Sequence, residues 1–240
     1  MFLYQSTITK KLMKKLISTL LLLAFNISFS QFGIINDPDG YVNVRNSAGK
    51  SNKIIDKLDN GAIVYNYEPD GNWANIDYKK SKENLGGYVY KDRIIDLTNF
   101  TKIPVRENKN GIIKLENNNV KVAVAEIAFN PKNHKLKYNS ESPTILESID
   151  DQVIFGTDGN IPKRKYKSIE IEIDKILISL PETALKNAFE PNLEETMVNY
   201  DSANDILYIQ SLNSDGAGSY VILWVIEKKK FKTRVEAIPF

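Results

Sequence analysis

Short apolar segments separated by turn-forming residues constrain this chain more than any other feature of its sequence. Runs of β-branched and aromatic residues such as Ile63–Tyr67 are bounded by glycine, asparagine or aspartate. In Ser168–Ile173, apolar and polar residues alternate strictly, which places successive side chains on opposite faces of a strand. Runs this short, bounded in this way, are typical of strands joined by tight turns. The pattern predicts a mainly β protein.

The first 30 residues have the organisation of a secretory signal peptide. A lysine cluster at residues 10–15 precedes the apolar run Leu16–Phe25, and the small residues Ser28 and Ser30 follow it. The apolar run is shorter than the roughly 20 residues that cross a bilayer. We therefore expect residues 1–30 to be removed, leaving no membrane span, and the protein to be periplasmic or secreted. Met13 is an alternative start.

The composition excludes several classes of site and partner. The absence of cysteine excludes disulfides, thiolate metal sites, a cysteine nucleophile and a lipid-anchored amino terminus. The predicted signal peptide holds four of the 32 basic residues and none of the 30 acidic ones, so the mature chain is nearly neutral. Nucleic-acid binding needs a basic surface that displaces counterions. We expect no nucleic-acid partner.

Residues 31–97 carry the most specific series of motifs in the chain. The series consists of Val42-Asn43-Val44-Arg45, Leu58 with Gly61, Gly71 with Trp73, and Gly87-Tyr88-Val89. It resembles the bacterial SH3 (SH3b) family over residues 32–97. The resemblance implies a small, strongly bent antiparallel barrel that attaches envelope proteins to peptides or peptidoglycan. Asp77–Leu85 is longer and more charged than the family's usual turn, and we interpret it as an extended hairpin tip.

Six aromatic residues of this module are the candidate ligand-binding residues. An aromatic ring offers a large contact area with a polar edge, which suits peptide or sugar recognition. The competing interpretation places Trp73 and half of the tyrosines in the core. Asn43 and Arg45 are interpreted as structural residues that tie a loop to the barrel. The candidates are Tyr41, Tyr65, Tyr67, Trp73, Tyr88 and Tyr90.

Residues 98–110 are polar and contain Pro104, which is typical of a linker. The following residues, 111–240, are numerous enough to form a second domain with its own core. In this half, Pro181 and the helix-favouring segment Glu182–Phe189 predict one short helix. The expected architecture is an SH3-like small barrel followed by an antiparallel β-rich (α+β) domain with one short helix.

Strand predictions in the second half follow from the apolar pattern. The apolar phase changes at Asp174-Lys175, which predicts a tight hairpin turn there. A meander of three strands is predicted at residues 205–212, 219–227 and 230–238. The middle one is apolar on both faces, which indicates a central, covered strand, and the last is predicted to be an edge strand.

The loop Asn213–Ser219 is unusually rich in small residues. Its glycines either let the backbone approach another molecule closely or supply the positive φ of a hairpin connection. The second interpretation is favoured. The candidate contact residues of the first are Asp215, Gly216, Gly218, Ser219 and Tyr220.

The sequence contains no recognisable catalytic motif. Its single histidine, His134, lies among polar and basic residues and is interpreted as a solvated loop residue. A Cys–His pair, a multi-histidine zinc set and a nucleophilic serine elbow are all missing. We predict no catalytic residue, no cofactor and no metal site, although the many acidic residues leave carboxylate chemistry open.

The expected function is that of a non-enzymatic envelope binding or adaptor protein. Its SH3b module would bind peptidoglycan or a peptide or protein partner. Two alternatives remain: a carboxylate-dependent wall-active hydrolase targeted by the module, and an inhibitor of a wall-degrading enzyme. A cleft with two facing acids would favour the hydrolase, and protection of cell walls against lysozyme would favour the inhibitor.

Overall fold

Strands provide nearly all of the regular structure in the computed structural model, which describes residues 31–81 and 83–239. The helical elements in this part of the chain are 3₁₀ turns of three residues each, and none is long and apolar enough to cross a membrane. The predicted signal peptide, residues 1–30, lies outside the described residues. The chain from Gln31 onward forms one compact unit. The prediction of a mainly antiparallel β protein is confirmed.

The amino-terminal strands form one strongly curled half-barrel, the curled sheet. Strands are numbered along the chain, and those of this sheet are β1 (Gln31–Ile35), β2 (Tyr41–Arg45), β3 (Ile54–Asp59), β4 (Ile63–Asp70), β5 (Trp73–Lys80), β6 (Glu83–Tyr90) and β7 (Ile94–Asp96). Their spatial order is β3-β2-β6-β5-β4-β1-β7. β5 and β6 pair from Trp73 opposite Tyr90 to Lys80 opposite Glu83, so the predicted hairpin tip is confirmed.

Two five-stranded sheets follow. The central sheet, in the order β20-β19-β18-β17-β8, contains β8 (Thr101–Lys102), β17 (Thr196–Asp201), β18 (Ile206–Asn213), β19 (Tyr220–Glu227) and β20 (Lys230–Ala237). The outer sheet, in the order β16-β15-β11-β10-β9, contains β9 (Val105–Lys109), β10 (Ile112–Glu116), β11 (Val120–Ala128), β15 (Arg164–Ile173) and β16 (Ile176–Ile178). A small sheet of β12 (Leu136–Tyr138), β13 (Leu146–Ile149) and β14 (Gln152–Val153) lies between β11 and β15 in sequence.

The three larger sheets stack as layers, with the central sheet between the curled sheet and the outer sheet. Strand β19 of the central sheet contacts both of the others. Tyr220, Ile222 and Trp224 pack into the core between the central and outer sheets. Val221 and Leu223 alternate with them and pack with the outer face of the curled sheet. A strand covered on both sides is expected to be apolar at nearly every position. The predicted meander and its covered middle strand are confirmed, and β20 is the predicted edge strand.

The predicted hairpin turn at Asp174-Lys175 is confirmed, whereas the predicted helix is wrong. Asp174 and Lys175 both have positive φ, as a two-residue turn between twisted strands requires. In Glu182–Phe189 only Glu182–Ala184 forms a 3₁₀ turn. The carbonyl of Ala184 accepts a hydrogen bond from Trp224 Nε1 (2.6 Å). Because side chains of the central sheet engage these carbonyls, the segment is held in an irregular conformation.

The stretch interpreted as a linker, residues 98–110, contains strands β8 and β9. Between them, Ile103 is fully buried in the core, and its amide donates to the carbonyl of Val198. The side chains of β9 are mostly exposed, because it is an edge strand of the outer sheet. Its polarity therefore reflects exposure and not irregular structure.

Candidate functional site

The six candidate aromatic residues lie on the outer face of the curled sheet, at two separate places. Strand pairing sets this arrangement, since Trp73 is opposite Tyr90 and Tyr65 is opposite Asp77 in neighbouring ladders. The inner face of the same strands carries the small apolar core of the half-barrel. One part of the outer face is covered by the central sheet and the other part is open.

Tyr65 and Tyr67 occupy the covered part. The Tyr65 side chain is 2% exposed, and its ring lies 5.1 Å from Phe32 and 5.2 Å from Tyr67. The Tyr67 hydroxyl is 2.8 Å from Asp77 Oδ2 and 3.0 Å from the carbonyl of Ile238. Burial, and then the Asp77 carboxylate, raise the pKa of Tyr67 far above its usual range. Tyr65 therefore belongs to the core, and Tyr67 packs against it as a partly buried residue.

Tyr41, Trp73 and Tyr90 line an open groove of about 510 Å³. The Trp73 and Tyr90 rings meet edge to face, with centroids 5.5 Å apart. Tyr41 is 36% exposed, and Lys57 Nζ lies 3.5 Å from the centroid of its ring. Tyr88 lies on the same face, half-buried, but does not line the groove. The structure therefore brings three of the six candidates together.

Charged side chains of both signs surround the aromatic floor of this groove. Arg45 lies 6.0 Å from the centre of the Trp73 ring and donates to the carbonyl of Asn52 (2.6 Å). It thus ties the β2–β3 loop to the sheet, as the sequence suggested, while its cation borders the groove. The other charged groups are Asp37, Asp39, Lys50, Asp92 and Arg93.

Sequence reasoning missed those five charged residues. Arg93 Nε is 3.1 Å from Asp37 and 3.4 Å from Asp92, which joins the β1–β2 loop to the 3₁₀ turn after β6. Asp37 also accepts the Asp39 amide in a local turn (2.8 Å), a signal visible in the Asp-Pro-Asp-Gly sequence. The approach of Arg93 depends on the pairing of β1 with β7, for which the local sequence has no signal.

Most residues of the candidate contact loop, Asn213–Ser219 with Tyr220, make contacts within the protein. Tyr220 is fully buried, and its hydroxyl donates to the carbonyl of Phe189 (2.9 Å), so it cannot face a surface ligand. Ser219 is also buried. A Cβ on Gly218 would lie 3.2 Å from the backbone of Thr157, whereas Gly216 has φ +50° and open space around it. The close approach is to this chain, which favours the structural interpretation.

Asp215 of the same loop does reach a polar cavity of about 490 Å³. Asp158 and Glu190 are the other acids on its wall. The Glu190 carboxylate accepts hydrogen bonds from the amides of Lys163 and Arg164 and is therefore occupied in holding that loop. In the part of the chain that the structure describes, no group of three or more acidic or histidine residues is placed to hold a metal ion.

His134 lies in a loop, as expected, but it is only partly exposed and makes specific contacts. Its side chain is 20% exposed, stacks on Phe129 at 4.7 Å, and has Nδ1 2.6 Å from Asp150 Oδ2. Asp150 is distant in sequence and lies at the turn between β13 and β14, so the local polarity around His134 did not reveal the pair.

No protein-family model matches this chain, and no curated protein or solved structure is significantly similar to it.

Proposed function

We propose that this protein is an exported, non-enzymatic binding protein of the cell envelope, with an SH3-like barrel whose groove holds peptidoglycan. The observation that carries the proposal is the open aromatic groove of Tyr41, Trp73 and Tyr90, bordered by charges of both signs. The other aromatic candidates on the outer face of the curled sheet, Tyr65 and Tyr67, are covered by the central sheet. The predicted signal peptide supports the location.

The chemistry of the groove suits a ligand that combines sugar rings with short peptides. Sugar or peptide faces pack on aromatic rings, and the groove is lined by three of them, those of Tyr41, Trp73 and Tyr90. Arg45 and Lys50 can bind carboxylates, while Asp39 can bind an amine. A volume of about 510 Å³ lies in the usual range of ligand sites.

The test is co-sedimentation of residues 31–240 with purified peptidoglycan sacculi. We expect the wild type to sediment with the sacculi. Trp73→Ala and Tyr41→Ala should each weaken binding by about tenfold, the effect typical of a central aromatic contact. Tyr138→Ala removes a similarly exposed ring from the small sheet and serves as the matched control.

Thermal unfolding checks that each variant is folded. Tyr41 is the more exposed of the two groove residues, so its variant keeps the test informative if Trp73→Ala does not fold. Absence of wild-type binding, or equal loss of binding in the Tyr138 variant, would contradict the proposal. Release of soluble fragments from the sacculi would favour the hydrolase instead.

A further inference from the structure

A long insertion separates two strands that are direct neighbours in the outer sheet. β11 and β15 pair along nearly their whole length, yet residues 129–163 lie between them in sequence. The insertion forms the small sheet, and its Phe129, Leu146 and Ile149 form an apolar cluster with Phe189 of the segment that follows β16. Binding residues lie disproportionately on connecting segments that a rigid scaffold holds in place.

A cavity of about 500 Å³ lies between this insertion and the segment that follows β16. Its basic side chains are His134, Lys165, Lys167 and Lys186, and Ile149 and Leu185 provide an apolar wall. A mixed wall of this kind fits a ligand with a charged group on an apolar body.

His134 is fixed in orientation at one side of the cavity. Asp150 Oδ2 accepts from His134 Nδ1 (2.6 Å), because a carboxylate offers no hydrogen of its own. Asp150 Oδ1 also accepts the amide of Lys135 (2.9 Å), and these two bonds lower the pKa of Asp150. His134 Nε2 is therefore free to accept from Lys165 Nζ, which lies 3.5 Å away.

The cations here outnumber the acids able to neutralise them. Among the described residues, Lys165 and Lys167 have no carboxylate within 4.0 Å, although Lys165 is half-buried. Two acids line the cavity. Asp150 bonds with His134 and the Lys135 amide and attracts Lys165 only from beyond 4.0 Å, and the largely exposed side chain of Glu182 lies 3.9 Å from Lys186. A half-buried ammonium group with unfilled donors attracts an anion.

We propose that this cavity binds an organic oxyanion, a carboxylate or phosphate on an apolar body, through Lys165 and Lys167. The anionic group takes the lysine donors next to His134, and the apolar body lies against Ile149 and Leu185. This site is separate from the aromatic groove and does not depend on its ligand.

His134 allows a direct test because it is the only histidine in the sequence. The probes are inorganic phosphate, acetate and benzoate, added to residues 31–240 at constant ionic strength, with the imidazole followed by NMR. The charged groups facing the ring are Asp150 and Lys165, with the Lys135–Asp151 pair beside them. A bound anion changes the electrostatic environment of the ring, so the imidazole resonances should shift with increasing probe concentration until the site is saturated. Benzoate should bind more tightly than acetate, because only benzoate reaches the apolar wall.

Variants separate a specific site from general charge effects. Lys165→Gln should weaken phosphate and benzoate binding by about tenfold through loss of a charge-assisted bond, and Lys167→Gln should act in the same direction. Lys230→Gln on the edge strand β20 makes the same charge change far along the chain and should have no effect. Unchanged imidazole resonances with every probe, or equal losses in the Lys230 and Lys165 variants, would overturn the proposal.

Discussion

Asn213 shows how individual polar residues determine the geometry around the candidate contact loop. It is fully buried, and its Oδ1 accepts from Tyr166 Oη (2.9 Å), Ser211 Oγ (2.9 Å) and the Asn192 amide (3.0 Å). These three bonds satisfy the buried oxygen, whereas Asn213 Nδ2 has no hydrogen-bond partner within the described residues. The loop therefore starts from a rigid point in the core.

Asp56 is expected to give the half-barrel a dependence on acid pH. It lies on β3 and bonds with Lys80 and with the Tyr78 hydroxyl (2.9 Å) on β5. Lys80, followed by the Lys57 amide, lowers the pKa of Asp56 below 3.8. Its stabilising contribution is present above that value and is lost as pH falls through the lower folded-state pKa. Asp56→Asn should therefore reduce the difference in unfolding free energy between neutral and acid pH.

Urea unfolding of Asp56→Asn and wild type at pH 7 and near pH 3 measures this effect. Asp39→Asn, a change on an exposed carboxyl with no ion pair within 4.0 Å among the described residues, is the control. A pH dependence in Asp56→Asn identical to that of the wild type would contradict the expectation.

At the residue scale, the sequence indicated which aromatic residues are candidates, but it could not distinguish those that are buried from those that line the groove. Tyr65 and Tyr90 occupy similar positions in similar alternating strands, so local pattern treats them alike. One is buried because the central sheet packs on it, and the other lines a groove because nothing in the described chain covers it. The difference is a tertiary contact with residues more than half the chain away.

The segment between β16 and β17 is held by side chains of the central sheet. Arg234 NH1 donates to the carbonyl of Lys186 (2.6 Å) and lies 3.3 Å from that of Ala184, while its Nε pairs with Glu236. Both charged side chains are largely buried, at 13% and 11% exposure. Arg234, on an edge strand, thus anchors this segment together with Trp224 Nε1 and the backbone of Phe155.

Removing Arg234 should destabilise the protein strongly. Arg234→Leu leaves the Glu236 carboxylate buried without its partner, a loss of about 3 kcal/mol in unfolding free energy. Arg234→Leu combined with Glu236→Leu should recover much of this loss, because no unpaired charge remains. Chemical denaturation followed by tryptophan fluorescence measures both. Arg106→Leu on the exposed edge strand β9 is the control, and an equal loss there would contradict the prediction.

Strands in which apolar residues recur with a regular period could be predicted from the sequence, and elements without such a period could not. The β15–β16 turn follows from a change in apolar phase, and the meander from its alternation. The helix prediction failed at Glu182–Phe189 because helix-favouring residues were outweighed by bonds from Trp224 and Arg234. Strand β9 was read as linker because an edge strand needs few apolar residues.

The stacking of three sheets predicts that residues 31–240 unfold as one unit. Leu223 on β19 is fully buried against the curled sheet. Leu223→Ala should lower the unfolding free energy by about 2–5 kcal/mol and keep a single transition. Leu177→Ala, at a side chain 79% exposed, should change little.

The two tryptophans make this measurable, because Trp73 lies in the curled sheet and Trp224 between the other two. The Trp73→Phe variant keeps Trp224 as its single fluorescent tryptophan, and the Trp224→Phe variant keeps Trp73. Coincident midpoints of the Trp73 fluorescence and of circular dichroism within the Trp224→Phe variant would confirm a single transition. Separate midpoints would show that the half-barrel unfolds alone.

The order of the layers was outside the reach of sequence reasoning. Composition suggested a boundary near residue 97, and β19 was recognised as covered on both faces. The apolar pattern of Tyr220–Glu227 indicates that both faces of this strand are covered, but it does not identify the sheets that cover them. The partner of its odd-numbered residues is Phe32 and Tyr65, at the other end of the chain.

The large sequence separation between β19 and the half-barrel affects the order in which the layers can assemble. Phe32 lies on the first described strand and Tyr65 on β4, whereas β19, which covers them, follows nearly all of the other described strands in sequence. Long-range pairing of this kind is slow, and exposed apolar surface in partly made chains favours aggregation. Until Tyr220–Glu227 joins the stack, the half-barrel exposes Phe32 and Tyr65 to solvent, so a partly folded chain in this state is expected to aggregate more readily than the native protein.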